Sequence, residues 1–99
     1  MRAMRKRPGE AWEPIEVANE LKPLQQEVGG YLESVTLAED ACILCDEEGR
    51  LKGKPYNTTV CGVPFVGTIL IVGVAGEDSS DLTLEQEAAL RHIGIIKEE

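Results

Sequence analysis

Apolar and polar residues alternate along two short segments near the N-terminus and middle of the chain, a pattern typical of strands with one buried face. Residues 2–7 alternate poorly, whereas Trp12 to Val17 alternates apolar with acidic side chains, and Pro8-Gly9 marks a turn between the two. Tyr31 to Leu37 alternates cleanly and precedes the apolar segment Ala41 to Cys45. These patterns predict two hairpins.

Two other segments have the apolar spacing and the end signals of helices. Residues 20–28 place Leu21, Leu24 and Val28 on one face, with Asn19 as the expected N-cap and Gly29-Gly30 as the stop. Residues 84–93 follow Thr83-Leu84-Glu85-Gln86, a capping-box sequence, and precede Gly94. The sequence therefore predicts one helix between the hairpins and one near the C-terminus.

Phe65 to Ala75 is apolar at both alternating sets of positions, which predicts a strand that is covered on both faces. Such a strand is either central in the sheet or buried in a subunit contact. Because so small a chain has little other material to cover it, we expect a homo-oligomer, a dimer or larger. Residues 51–60 contain several breakers and are expected to be irregular, and residues 76–80 are expected to form a polar loop.

The predicted element order is β-β-α-β-β-β-α. It indicates a single α+β domain over residues 1–99, with a mixed or antiparallel sheet of about five strands and two helices.

The charge is unevenly distributed along the chain. Ten basic and 18 acidic residues give a net charge of −8, and four of the cations lie within the first seven residues. The remaining body is strongly acidic and should repel phosphate backbones and anionic lipid, which argues against direct nucleic acid or membrane binding. With no apolar leader or spanning segment, we expect a cytoplasmic protein.

The cysteines and the single histidine offer little chemistry. Cys42, Cys45 and Cys61 are odd in number, which argues against a disulfide framework, and we expect buried free thiols without metal. His92 alone cannot build a triad or a multi-histidine metal site, and it fits the last turn of a helix. The chain also lacks the common nucleotide and hydrolase fingerprints. We therefore expect no enzyme activity and no cofactor.

One segment differs from the acidic background. Arg50, Lys52 and Lys54 stand at alternating positions, and the residues around them include Gly49, Gly53, Tyr56 and Asn57. Cations, backbone amides near glycines and an aromatic face could together hold a phosphate or nucleotide. The alternative is a solvated edge strand that its lysines protect from pairing.

Two aromatic residues outside this segment are also candidates for ligand binding. Tyr31 follows Gly29-Gly30 directly, where the alternative is helix capping followed by core packing. Trp12 lies beside the Pro-Gly turn and could be either a core residue or an anchor for a ligand or partner.

Several segments together resemble domain of unknown function family 3846. They are Leu24-Gln25-Gln26-Glu27-Val28-Gly29-Gly30-Tyr31-Leu32-Glu33, the Glu47-to-Leu51 turn, Pro55-x-Asn57, the Gly67-to-Gly73 run and Glu77-Asp78 with Leu82-Thr83. The first strand is less apolar than is usual in that family, and Cys45-Asp46 stands where the family often has Asn. The resemblance implies a small protein of phages, mobile elements or gut bacteria, and it transfers no catalytic residue.

This setting favours a binding protein, in one of two modes. In the first, an oligomer sequesters a small nucleotide-type immune signal as a counter-defence protein, with Arg50 to Asn57 as the cationic, glycine-lined site. In the second, an acidic surface mimics DNA and inhibits a host defence protein or nucleic-acid enzyme, with Asp46, Glu47 and Glu48 among its charges. The first mode is slightly favoured because the family-like positions are Gly, Tyr, Asn and Thr.

Overall fold

The computed structural model describes residues 1–97 and contains two helices and eight strands within that range. The helices are α1 (Leu21–Val28) and α2 (Leu84–His92). The strands are β1 (Arg2–Lys6), β2 (Glu13–Glu16), β3 (Leu32–Ala38), β4 (Ala41–Asp46), β5 (Tyr56–Val60), β6 (Val63–Val66), β7 (Ile69–Ala75) and β8 (Asp78–Ser80). The α+β class and the two helices expected from the sequence are confirmed.

The main sheet is antiparallel throughout and has the strand order β2-β1-β7-β4-β3, with β8 also paired to β7. Both predicted hairpins form, as β1-β2 and β3-β4. Strand β7 lies between them, with Ile71 opposite Met4 on one side and Ile43 on the other. β5 and β6 form a separate two-stranded sheet.

The strand count expected for the middle of the chain was too low, and residues 51–60 are not irregular throughout. They contain β5, and the predicted strand from Phe65 to Ala75 is divided between β6 and β7. The chain bends at Gly67, which has a φ of 69° and whose amide donates to the Pro55 carbonyl. The expected polar loop after β7 contains the short strand β8. Breaker residues mark bends, but they do not show that a strand resumes on the other side.

The main sheet is covered on both faces within one chain. On one face Leu24 and Val28 of α1 pack with Leu70 and Val72 of β7. On the other, residues of β6 and α2 join a second apolar cluster with β7, which includes Phe65, Leu90, Ile69 and Ile71. The premise that β7 needs another subunit to cover it was therefore wrong, and oligomerisation stays a prediction that has to rest on another surface.

Local signals predicted the helix ends with one exception. Thr83 and Gln86 form the expected capping box at α2, and Gly29 ends α1 with a left-handed φ of 78°. Asn19, however, is not the N-cap of α1. The N-cap is Glu20, which makes no side-chain capping bond, while the Asn19 Nδ2 donates to the Ser79 carbonyl at 2.8 Å. A contact with β8 thus takes the side chain away from the helix.

The cysteines are free thiols, but they are not all buried. Cys42 and Cys45 lie in β4 and are buried, whereas Cys61 is exposed. Cys61 and Gly62 have φ values of 50° and 79° and connect β5 to β6 as a tight hairpin turn. None of the helices described in residues 1–97 is long and apolar enough to cross a membrane.

Candidate functional site

A cleft of about 370 Å³ lies where α1 ends and β3 begins. It is lined by residues of α1, of the turn that follows it and of the segment after β4: Lys22, Gln25, Gln26, Gly29, Gly30, Tyr31 and Lys52. Among the described residues that line it there are two lysines and no carboxylate. In a chain of net charge −8, the charged residues that line this cleft are lysines.

Tyr31 offers the cleft an aromatic face that is 64% exposed. Its backbone is nevertheless fixed, because its carbonyl accepts the Glu47 amide at 2.8 Å as a continuation of the β3-β4 pairing. The helix cap at Gly29 and the start of β3 thus hold the main chain on both sides of the ring. An exposed aromatic ring on a fixed backbone is suited to stacking against a planar ligand.

Lys52 reaches the cleft from the opposite side and is 41% exposed. Its Nζ lies 2.9 Å from Asp46 Oδ2 and 3.1 Å from the Gly29 carbonyl. The ion pair fixes the ammonium group at the floor of the cleft while part of it stays in contact with solvent. Lys52 therefore has a structural role and is also available to an anion.

The side chain of Asp46 is only 1% exposed and is fully hydrogen-bonded. Oδ2 accepts from Lys54 at 2.7 Å as well as from Lys52, and Oδ1 accepts from the Glu48 amide at 2.9 Å. Burial alone would raise the pKa of Asp46, but the bonds from Lys54, Lys52 and Glu48 outweigh it and lower the pKa to about 2. Asp46 is thus a buried anion rather than part of a solvated acidic loop.

Lys54 belongs to the structure of this junction and not to the open cleft. Besides Asp46, its Nζ donates to the Val28 carbonyl at 2.8 Å and to the Gly29 carbonyl at 3.2 Å. These are carbonyls at the C-terminal end of α1, where helix carbonyls lack partners and a positive charge is stabilising. Lys54 therefore caps α1 and has its donors occupied, which leaves little for a ligand.

Gly29 and Gly30 allow this junction to close. A Cβ on Gly29 would lie 2.8 Å from the Lys54 Nζ, in addition to the strain of its positive φ. A Cβ on Gly30 would overlap the carboxylate of Asp46. Glycine is therefore needed at these two positions for different reasons. Gly29 adopts a left-handed backbone conformation, whereas Gly30 leaves room for the Asp46 side chain.

Asn57 is a buried structural residue. Its Nδ2 donates to the carbonyls of Lys6 at 2.8 Å and Gly67 at 2.7 Å, while its Oδ1 accepts from the Lys6 Nζ at 3.0 Å. The side chain thus joins β1 to β5 and to the bend before β7. It is not placed to contact a ligand in the cleft.

Arg50 lies in a second, smaller cleft of about 190 Å³, between the β3-β4 hairpin and β6. Its guanidinium donates to the Pro64 carbonyl at 2.7 Å. The same cleft is lined by Glu33, Asp46 and Glu47, so acidic residues outnumber basic ones among its charged lining residues. Arg50 is therefore separated from Lys52 and Lys54, which share the carboxylate of Asp46.

The two remaining aromatic candidates lie outside the first cleft. Trp12 is buried in the apolar cluster on the α2 face of the sheet, which settles its role as a core residue. Tyr56 is 60% exposed, and its hydroxyl hydrogen-bonds Thr59 at 2.8 Å within β5. Of the seven candidate residues, the cleft thus brings together Tyr31 and Lys52.

The sequence analysis missed the helical side of the cleft. Lys22, Gln25 and Gln26 have the i, i+3, i+4 spacing of one helical face, beside the apolar face that packs on the sheet. That polar face was visible in the sequence as a pattern. That this face lies beside Tyr31 and Lys52 depends on how α1 packs against the sheet, which the pattern does not show. Within residues 1–97 no group of three or more His, Cys, Asp or Glu side chains could hold a metal ion.

Comparison with known families agrees with the motifs quoted above. The model of the domain of unknown function DUF3846 matches residues 1–93. The chain belongs to the DUF3846 family. No curated protein and no solved structure shows significant similarity to it.

The DUF3846 motif positions of this chain meet at the junction described above. Gly29 and Gly30 pack against Lys54 and Asp46, and Gly67 lies close to Lys54, whose Cδ would be 2.7 Å from a Cβ there. These three glycines of the motif are therefore accounted for by packing around one buried ion cluster. That packing does not explain the exposed ring of Tyr31, which is also a motif residue.

Proposed function

We propose that this DUF3846 protein is a non-enzymatic binding protein that sequesters a small anionic, nucleotide-type ligand in the cleft beside Tyr31. The family resemblance to phage and mobile-element proteins suggests the setting, in which the ligand is a host immune signal and the protein acts in counter-defence. The observation that supports the proposal most strongly is the composition of the cleft: an exposed aromatic ring, two lysines and no acidic lining residue among those described, in an acidic chain.

Each part of such a ligand has a group to meet in the cleft. The Tyr31 ring can stack on a base, an interaction worth about 1–3 kcal/mol. Lys22 and Lys52 can donate charge-assisted hydrogen bonds to phosphate, each worth about 1.5–3 kcal/mol when desolvated. Gln25 and Gln26 supply amide donors and acceptors for base edges. At about 370 Å³ the cleft lies at the lower end of the usual size range of small-molecule sites.

Calorimetric titration of cyclic dinucleotides and ADP-ribose-type compounds tests this directly. We expect saturable binding by the wild type, and a loss of about tenfold or more in affinity in Tyr31→Ala and in Lys22→Ala. Lys52→Ala should weaken binding as well. Because that variant also removes a partner of Asp46, its unfolding midpoint has to be measured alongside.

Tyr56→Ala is the matched control, since Tyr56 is exposed to a similar extent but lies outside the cleft. Arg50→Ala serves the same purpose for charge, since Arg50 lies in the acidic second cleft. Both variants should bind as tightly as the wild type. Equal affinity in Tyr31→Ala and Tyr56→Ala would place the ligand elsewhere, and no heat with any nucleotide would exclude sequestration.

A host-protein inhibitor with a DNA-like acidic surface is the second candidate function. It is favoured by Glu47 and Glu33, exposed acids that line the second cleft. Asp46 does not belong to that surface because its charge is buried and paired. In this case Glu33→Gln with Glu47→Gln should abolish inhibition of the host target, while Tyr31→Ala should leave it unchanged.

A further inference from the structure

The two edges of the main sheet differ in their protection against pairing. β2 at one edge has only four residues, including Pro14 and two glutamates, features that discourage the addition of a strand. β3 at the other edge has seven residues, with no proline and no lysine and with Glu33 as its one charge. β3 is thus the longer edge, and it pairs regularly with β4 from Leu32 to Thr36, before an irregularity in the register between Thr36 and Ala38.

The hydrogen-bonding groups of β3 alternate between β4 and the open side. The Glu47 amide donates to the Tyr31 carbonyl, which makes Tyr31 and Glu47 a hydrogen-bonded pair in the register that continues as Glu33–Cys45 and Val35–Ile43. In an antiparallel ladder hydrogen-bonded and non-bonded pairs alternate. The backbone groups of Leu32, Ser34 and Thr36 therefore point away from β4, towards the open side of the edge.

We propose that β3 is a homodimer interface, in which β3 of one chain pairs antiparallel with β3 of a second copy about a two-fold axis at Val35. This register centres the pairing on Ser34, Val35 and Thr36, which precede the irregularity between Thr36 and Ala38. It places Ser34 opposite Thr36 of the other copy, so that the outward backbone groups of both residues are satisfied. The proposal does not depend on the proposed ligand.

The side chains of β3 are complementary to themselves in this register. Glu33 lies opposite Leu37 of the second copy, so the two Glu33 carboxylates of the dimer do not face each other. Val35 meets Val35, and both Val35 and Leu37 are only partly covered within their own chain. A foreign strand would need to offer this pattern, whereas a second copy carries it by symmetry.

The mass in solution is the first test. Light scattering at micromolar concentration should give twice the chain mass of 10.8 kDa. A monomer mass would overturn the proposal. The second test is Ser34→Lys with Thr36→Lys, two exposed positions that would place lysines directly opposite lysines across the axis. This variant should need at least about tenfold higher concentration to dimerise, with unchanged circular dichroism and with the wild-type unfolding midpoint at concentrations at which both proteins are monomers.

A charge-complementary variant tests the register. Ser34→Glu with Thr36→Lys places each glutamate opposite a lysine of the other copy, and the dimer should form at wild-type concentration or lower. If both double variants dimerise like the wild type, the interface is not β3. If the complementary variant is as monomeric as the double lysine variant, the register about Val35 is wrong.

Discussion

Lys54 and Asp46 form an ion pair of 2.7 Å at the junction of α1, β4 and the turn that follows β4. The aspartate is almost completely buried, and Lys54 also caps α1 through the Val28 carbonyl. One interaction thus connects the end of a helix to the sheet. It also fixes the floor of the cleft, since Lys52 binds the same carboxylate oxygen.

Replacement of Asp46 by Asn should destabilise the protein by about 2–4 kcal/mol, because it leaves two ammonium groups without their shared anion at a largely buried position. Urea unfolding followed by circular dichroism measures the loss. Glu47→Gln removes a neighbouring but exposed carboxylate and should change stability by less than about 0.5 kcal/mol. Similar effects of the two substitutions would contradict a structural role for the ion cluster.

The free energy of unfolding should depend on pH in acid because of the same ion cluster. The pKa of Asp46 is about 2 in the folded protein against an ordinary value of 3.8, so the unfolded chain takes up the proton first as the pH falls. The stabilisation from this group, about 2 kcal/mol, is fully present above about pH 5 and is lost progressively towards pH 2. The free energy of unfolding of Asp46→Asn should fall less steeply over that interval. Parallel profiles of the two proteins would refute the assignment.

Gly30→Ala should destabilise the protein by about 1–3 kcal/mol, because the added methyl group overlaps the Asp46 carboxylate. Gly53→Ala is the comparison: Gly53 has a positive φ of 69°, but no atom lies within 4 Å of where its Cβ would be, so it should show only the conformational cost of about 1 kcal/mol. In an Asp46→Ala background the cost of Gly30→Ala should shrink. Strict additivity would show that the overlap is not with Asp46.

The thiols should react at different rates. Cys61 is exposed in the β5-β6 turn and should react rapidly with a disulfide reagent in the native protein. Cys42 and Cys45 are buried, and burial, with smaller contributions from Glu33 and Asp46, raises the pKa of Cys45 to about 11. One fast thiol in the folded protein and three in denaturant are expected. A Cys61→Ser variant that still shows a fast thiol would contradict this assignment.

The ligand cleft could be predicted only in part. Tyr31 was identified because an aromatic residue follows a glycine pair, and Lys52 because a basic run stands out in an acidic chain. The basic run suggests one site, yet only Lys52 lines the cleft: Lys54 shares the Asp46 carboxylate with Lys52 and caps α1, and Arg50 donates to the Pro64 carbonyl. Alternate residues lie on one face only in a strand, and this segment is a series of turns, so alternation did not show which of the cations share a partner.

The sequence by itself determined the features that depend on near neighbours. The α2 capping box, the left-handed cap at Gly29 and the β1-β2 and β3-β4 hairpins all follow from residues a few positions apart. The tertiary structure decided where chain segments distant in sequence meet. It placed β7 between the hairpins, covered both its faces within one chain and buried Asn57 between β1 and the bend at Gly67. Local signals act through backbone geometry and short hydrogen bonds, whereas these contacts depend on packing between segments dozens of residues apart, which no local pattern encodes.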